Sequence, residues 1–368
     1  MKLLQTLYRN PWARGLAVLA TLVAALVVLW WRGPEWGTVY DAFQFVSWRW
    51  VLLAVLLNLV SVIVRAWAWN VTIHQAMPPP APRFAAVCSA FGVGLLGNAV
   101  LPARAGELAR VAVLRRHVPE RSGSGATLLG TVFAHRVFDV FPIALLVGYV
   151  LLTAKLPHWA VTGVVVVGVV GLGLLTLAIL SARRAPGEQA HGQQTARRLL
   201  AMARQGLAVL RVPSAAFGAI LLQIVGWTLQ LLAVWAAAEA FGLDIPLPAA
   251  ALVLLLMNIA TLFPLWPGNI GLLQAAVALP LVQYGVAYGT GFAYGLVLQA
   301  IEMSVGVGVG LVMLAREGLS FAALKRIEDE EEQEAEALVD EPELEPEPEP
   351  EPRAESREPL LTEGRSRR

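Results

Sequence analysis

One cysteine, Cys88, stands in 368 residues, so the chain has no intrachain disulfide. Histidine is nearly as scarce, at five residues, and none gathers with cysteine into a metal-ligand pattern. Charge is thin as well. Asp, Glu, Lys and Arg make up 15% of the chain, against about 25% in soluble globular proteins. No GKS-type phosphate loop and no activated Ser or Cys arrangement is legible. No small-residue cleavage site follows the first apolar run, where Arg32 stands instead. What remains is apolar: 57% hydrophobic residues with a mean hydropathy of +0.62. These numbers describe a polytopic, all-α membrane protein.

The net charge of +1 conceals a division. Residues 1–316 hold 21 basic against 9 acidic residues, and residues 317–368 hold 7 against 18. The first region reads as a transmembrane domain and the second as an acidic cytoplasmic tail. The tail's Glu328–Glu336 run and Glu341–Pro352 Glu-Pro repeat cannot bury a core. Lys2, Arg9 and Arg14 precede the first apolar run, Leu16–Trp31, which places the N-terminus in the cytoplasm. Trp30, Trp31, Trp36, Trp48 and Trp50 form an aromatic belt around the loop that follows. Further full spans are expected at Val51–Val71, Gly125–Leu152, Trp159–Leu180, Phe217–Ala240 and Gly289–Leu314. That makes about six in all at the ~20 residues a crossing requires. Arg183, Arg184, Arg197, Arg198, Arg204 and Arg211 mark an inner loop; they either only fix the topology or, over Thr195–Val212, form a basic amphipathic helix on anionic lipid.

The most informative stretch is Gly97–Arg116. An apolar run, Phe84–Leu101, leads into Asn98, Pro102, Arg104, Gly106, Glu107 and Arg110. Charges this close to an apolar segment face a cavity, a partner or a substrate. If the run crossed fully, Arg104, Arg110, Arg115, Arg116 and Arg121 would all lie outside, against the positive-inside bias. The expected solution is a re-entrant pair that breaks near Asn98–Pro102 and returns to the cytoplasmic face. Irregular backbone at that depth requires a cavity.

A second interrupted pair is expected where Leu252–Phe263 meets Leu272–Val286 through Pro264, Pro267, Gly268, Asn269, Ile270 and Gly271. Interrupted segments in two halves point to a transporter-like midplane site, and hence to an inverted repeat. Three other residues bear on it. Arg136 and Asp139, at i and i+3, either compensate each other or line the same cavity. Arg65 either snorkels to the interface or faces inward. Glu302, in the middle of the last span, is a neutral acid, the partner of an arginine such as Arg65 or Arg136, or a functional carboxylate. Gly306, Gly308 and Gly310 would allow close helix contact.

The N-x3-P-x-R-x-G-E-x2-R spacing of Asn98, Pro102, Arg104, Gly106, Glu107 and Arg110 resembles the membrane region of the lysylphosphatidylglycerol synthase/flippase family. Arg136 and Asp139 match its R-x2-D pair, Arg65 its arginine before a tryptophan, and Pro264, Pro267, Gly268 and Gly271 its P-x2-PGGxG element. The likeness covers residues 10–315. Asn269 replaces the second glycine of that element, and Gln274 stands where a glutamate is common. The large soluble aminoacyl-transfer domain of full-length synthases is missing. The resemblance implies lipid handling in a bacterial inner membrane, not aminoacyl transfer.

The expected function is translocation of an anionic phospholipid or a lipid-linked intermediate through an arginine-lined cavity. Its residues would be Arg65, Asn98, Pro102, Arg104, Gly106, Glu107, Arg110, Arg136, Asp139, Pro267, Gly268, Asn269, Gly271 and Glu302. No cofactor, metal or nucleic acid is called for. Expected partners are the lipid, the membrane, a second copy of the chain and a cytoplasmic partner for the acidic tail. The alternatives are a membrane-embedded transferase using Glu107, Asp139 or Glu302 as general base, and a non-transporting scaffold that acts through the tail.

Overall fold

In an apolar bilayer the backbone must satisfy its own polar groups, and a helix does this within one segment. The computed structural model accordingly holds nine helices, and no strand, among the residues it describes. Those residues are 34–77, 79–100, 106–119, 124–155, 162, 212–262, 269–320 and 326. The expected spans at Leu16–Trp31 and Trp159–Leu180, the arginine-rich inner loop and nearly all of the acidic tail lie outside the described residues. So do Pro102, Arg104, Pro267 and Gly268.

In chain order the helices are α1 (Trp36–Gln44), α2 (Trp48–Ala76), α3 (Phe84–Val100), α4 (Gly106–Arg115), α5 (Ser124–Thr153), α6 (Pro213–Ala240), α7 (Leu247–Leu262), α8 (Leu272–Leu281) and α9 (Tyr288–Arg316). A 3-10 turn, Val282–Tyr284, follows α8. The tryptophan-rich stretch expected as a loop thus includes a short helix, α1, whose Trp36 packs edge-on to Phe292 of α9 at 6.0 Å between ring centroids. Pro248 sits in the first turn of α7. A proline is tolerated there because the first-turn N–H has no intrahelical partner.

Among the described residues, four helices are long and apolar enough to cross a membrane: α2, α5, α6 and α9. The chain is therefore an all-α integral membrane protein. The other apolar helices fall short of the ~20 residues a span needs. α3 has 17 residues, α7 16 and α8 10. At a rise of about 1.5 Å per residue, α3 and α7 are each roughly 25 Å long.

Long and short helices divide the packing between them. α7 is buried without a break from Ala249 to Met257, and α3 from Val87 to Gly97 is buried at nearly every position. A helix apolar all round belongs inside a bundle. The long helices instead turn apolar faces outward: Leu52, Leu56 and Trp67 on α2, Phe141 and Leu145 on α5, Phe217 and Leu221 on α6, Leu311 and Val312 on α9. Such exposed apolar faces suit contact with lipid.

Two cores result. One gathers α6, α7, α8 and α9, with Tyr294 donating its hydroxyl to the Val234 carbonyl at 2.7 Å. The other gathers α2, α3 and α4 with the end of α9. α3 and α9 meet through small residues. A side chain at Gly310 would run into Leu96 and stand 2.9 Å from the Gly92 carbonyl oxygen. Of the three late glycines in α9, only Gly310 makes such a contact; a Cβ at Gly308 would meet nothing within 4 Å.

Gly310→Leu should therefore cost about 1–3 kcal/mol by overpacking. Gly308→Ala should be neutral or slightly stabilising, since alanine is the better helix former. Thermal unfolding of the detergent-solubilised protein checks both. Equal losses at the two sites would contradict the packing described.

Candidate functional site

Charge is scarce in these helices, and it converges. Asp139, on α5, is 4% exposed. Its Oδ1 accepts hydrogen bonds from Gln223 Nε2 at 2.9 Å and Trp227 Nε1 at 3.0 Å, both on α6. Arg65 Nη2 of α2 lies 3.6 Å from Oδ1, and Arg136 Nη1 lies 3.3 Å from Oδ2. Three helices are thus held to one carboxylate. Arg65 also lies 5.8 Å over the Trp227 ring. It can reach this position because position 226 is glycine: a Cβ there would be 2.7 Å from Arg65 Cγ. Ser61, one turn before Arg65, donates to the Gly226 carbonyl at 2.8 Å and fixes the same crossing.

The network continues onto α4. Arg136 also pairs with Glu107. Glu107 pairs in turn with Arg110, one turn on, at 2.5 Å. Arg110 is 4% exposed. Its guanidinium lies 4.7 Å over Trp69 and 5.7 Å over Phe91, and flat weakly hydrated guanidinium groups favour such stacking. Trp69 is held by its N–H to Thr131 Oγ1 at 3.1 Å. The Nε of Arg110 and the Nε of Arg65 are buried without an acceptor among the described residues.

The first turn of α4 is pressed against α3, which brings Glu107 beside Asn98. A Cβ on Gly97 would lie 2.6 Å from Gly106 Cα, and one on Gly106 would strike the Gly94 carbonyl and Asn98. Gly106 therefore sets the approach of the two helices and touches no ligand space itself. Glu107 in the first turn of α4 also faces the positive end of the helix dipole.

These groups border a cavity of about 710 Å³, within the ~300–1,000 Å³ range of small-molecule sites. Arg65, Asn98, Glu107, Arg110, Arg136, Asp139 and Glu302 all line it. Its wall carries three guanidinium groups and three carboxylates. The lining changes character along α5, from His135, Arg136 and Asp139 to Ile143 and Val147. That stripe covers roughly 18 Å of helix axis. Val62, Leu95, Leu255, Ile259 and Val305 add apolar wall, while Asn58, Gln230 and Asn258 add amides. The space is therefore amphipathic, ionic at one part and oily at another.

Besides Gly106, two more of the expected residues lie elsewhere. Asn269 and Gly271 shape the junction between α7 and α8 and do not line the cavity. Asn269 has φ +46°, the left-handed region that among non-glycine residues asparagine tolerates best. That conformation explains an asparagine where the resembled family has glycine. Its side chain donates to the Ala260 carbonyl at 3.1 Å, satisfying an acceptor near the end of α7. Gln274 is fully buried. Its Oε1 accepts from Gly271 N at 2.6 Å and its Nε2 donates to Gln299 Oε1 at 2.5 Å. The residue that stands in place of a glutamate ties α8 to α9 and is also absent from the cavity wall.

Several residues on the cavity wall (Asn58, Trp227, Gln230) or behind it (Ser61, Gln223) were not singled out from the sequence, unlike their neighbour Arg65. Gln223, Trp227 and Gln230 sit at i, i+4 and i+7, one face of α6. Asn58, Ser61 and Arg65 sit at i, i+3 and i+7, one face of α2. Polar residues at helical spacing inside apolar spans were the available signal.

The model of the family described as lysylphosphatidylglycerol synthase TM region matches residues 16–310. A UPF0104 membrane protein of Pyrococcus horikoshii is 26% identical over 145 residues. That alignment covers 39% of this chain and 42% of the relative, so the chain spans less than half of the relative's length. No solved structure matches the chain.

Asp139→Asn should destabilise the fold by about 3 kcal/mol, because it leaves Arg65 without its carboxylate and presents a donor to Gln223 and Trp227. Arg136→Gln, at a side chain 42% exposed, should cost under ~1 kcal/mol. Unfolding in mixed micelles measures both, and a loss at Arg136 equal to that at Asp139 would contradict the hub assigned to Asp139.

Proposed function

We propose, from the premise that this chain belongs to the family of lysylphosphatidylglycerol synthase transmembrane regions, that it moves an anionic phospholipid or a lipid-linked phosphate between leaflets. The headgroup would occupy the cavity walled by Arg65, Arg110 and Arg136. The observation that carries the reading is the ionic chain Arg110–Glu107–Arg136–Asp139–Arg65 along one wall of an amphipathic cavity.

In the empty cavity the carboxylates stand in for the missing ligand. Each charge at depth costs about 3 kcal/mol on insertion scales, so every guanidinium in the chain is held against a carboxylate. An entering phosphate competes with Glu107 for Arg136, the most exposed of the three arginines, and for Arg110. Guanidinium forks suit bidentate contact with phosphate oxygens. Asn98 and the apolar stripe beyond Asp139 would hold the rest of the headgroup and the start of the acyl chains. Asp139 keeps its hydrogen bonds from Gln223 and Trp227 throughout, and so holds the scaffold while Glu107 exchanges partners.

On this reading the short helices α3 and α4 form one re-entrant pair, and α7 and α8 the other. Arg104, Pro102, Pro267 and Gly268 belong to the breaks between them. Both termini face the cytoplasm of a bacterial cell, residues 1–316 are the transport unit and residues 317–368 an acidic extension.

The test uses the full-length protein in vesicles containing fluorescent phosphatidylglycerol, with a quencher confined to the outer leaflet. The protein should make the inner-leaflet pool accessible. Arg136→Gln, which should leave the fold intact, and Arg110→Gln should slow this at least tenfold, and Arg104→Ala should do the same. Undiminished movement in both Arg136→Gln and Arg110→Gln would overturn the assignment. A new radiolabelled product would favour a transferase. Loss of movement on removing residues 320–368 would favour a scaffold.

A further inference from the structure

Glu302 stands apart from the ionic chain. Glu107 and Asp139 each face two guanidinium groups. Glu302, midway along α9, accepts one hydrogen bond, from Gln230 Nε2 at 3.5 Å. Among the described residues no basic side chain is paired with it.

Its other neighbours are neutral and short of partners. Gln230 Oε1 is buried without a donor. Asn58 is 8% exposed and lines both the main cavity and a narrow extension that it shares with Gln230 and Glu302. The helices packed on α9 bring little charge. α8 carries no titratable side chain, α3 only Cys88, α6 only Glu239, about two and a half turns past Gln230, and α1 only Tyr40 and Asp41, at the end of α9 where Trp36 meets Phe292, ten residues before Glu302. α2 presents Arg65, which in this structure lies against Asp139 at 3.6 Å.

A half-buried carboxylate inside an apolar bundle with no cation paired to it is costly, and gaining a proton removes the cost. We propose that Glu302 is a proton-binding site in the cavity wall. The proton passes from cavity water to a carboxylate oxygen and forms the neutral acid, whose O–H can be donated to Gln230 Oε1 or Asn58 Oδ1. Release reverses the step, and no electrons change hands. Gln230 then serves both forms, as a donor to the carboxylate and as an acceptor for the acid. The proton site rests on this geometry alone. Its consequence, that lipid movement through the same cavity takes up or gives off a proton, rests on the translocase reading above.

Infrared difference spectroscopy tests the site without requiring transport. The full-length protein in phosphatidylglycerol vesicles, taken from about pH 9 to about pH 5, should gain the C=O stretch of a buried protonated carboxyl. Carboxyls in water titrate near pH 4, below this window. Glu302→Gln should abolish the band and Glu107→Gln should keep it. Gln230→Leu should move its midpoint, which a purely structural glutamate would not do. A missing band, a band that survives in Glu302→Gln, or one that responds to sodium ions and not to pH overturns the proposal.

The coupling is read separately, as lipid movement with and without an imposed pH gradient. Acceleration by the gradient in the wild type but not in Glu302→Gln supports it. Movement indifferent to the gradient overturns the coupling alone. Absence of lipid movement under every condition overturns the translocase reading, and the infrared band still decides the proton site.

Discussion

Two nitrogen donors from α6 and two guanidinium groups, one from α2 and one from α5 itself, converge on the carboxylate of Asp139. In water such an arrangement would be worth little. Inside an apolar bundle each of these groups would be expensive alone, and they are tolerable only as a set. The set fixes how α2, α5 and α6 stand to one another. It also leaves Arg136 with a second, more exposed side turned toward Glu107. The ionic chain that borders the cavity is an extension of this one junction.

Geometry around the junction follows from small residues at a few crossings. Gly226 lets Arg65 lie along α6, and Gly97 with Gly106 lets α4 press onto α3 so that Glu107 arrives beside Asn98. A methyl group at either crossing would separate helices whose polar groups then have no partners. The second pair of short helices is shaped differently. There Asn269 takes the left-handed backbone and caps a carbonyl of α7, while Gln274 ties the start of α8 to α9. These polar residues build the frame of the cavity and leave its wall to others.

The carboxylates of the site have unequal surroundings, and that inequality gives them different work. Asp139 is saturated with donors and holds the scaffold. Glu107 is shared between two arginines, one of them partly exposed, and can exchange. Glu302 has one amide donor and no paired cation among the described residues. On the readings proposed above, the three carboxylates on one cavity wall differ in what they give up: nothing, a guanidinium partner, or a proton.

Read alone, the chain was enough to establish the membrane class. Continuous apolar runs of about 20 residues with so little charge are the mark of spanning helices, since barrel strands are shorter and alternate. The same scarcity made Arg65, Glu107, Arg110, Arg136, Asp139 and Glu302 conspicuous, because isolated charges in apolar helices demand a reason. Their partners were another matter. The Arg136–Asp139 contact is local, one turn of helix, and spacing alone reveals it. Asp139 with Gln223 and Trp227, or Arg110 over Trp69, joins residues far apart in the chain through helix crossings that spacing does not encode. Whether a polar residue in a span faces lipid, frame or cavity depends on which crossing its helix makes. Asn269 and Gln274 went to the frame, and Asn58 and Gln230 to the cavity, for that reason. The amino acids determined which groups had to be paired; the packing of the helices decided with whom.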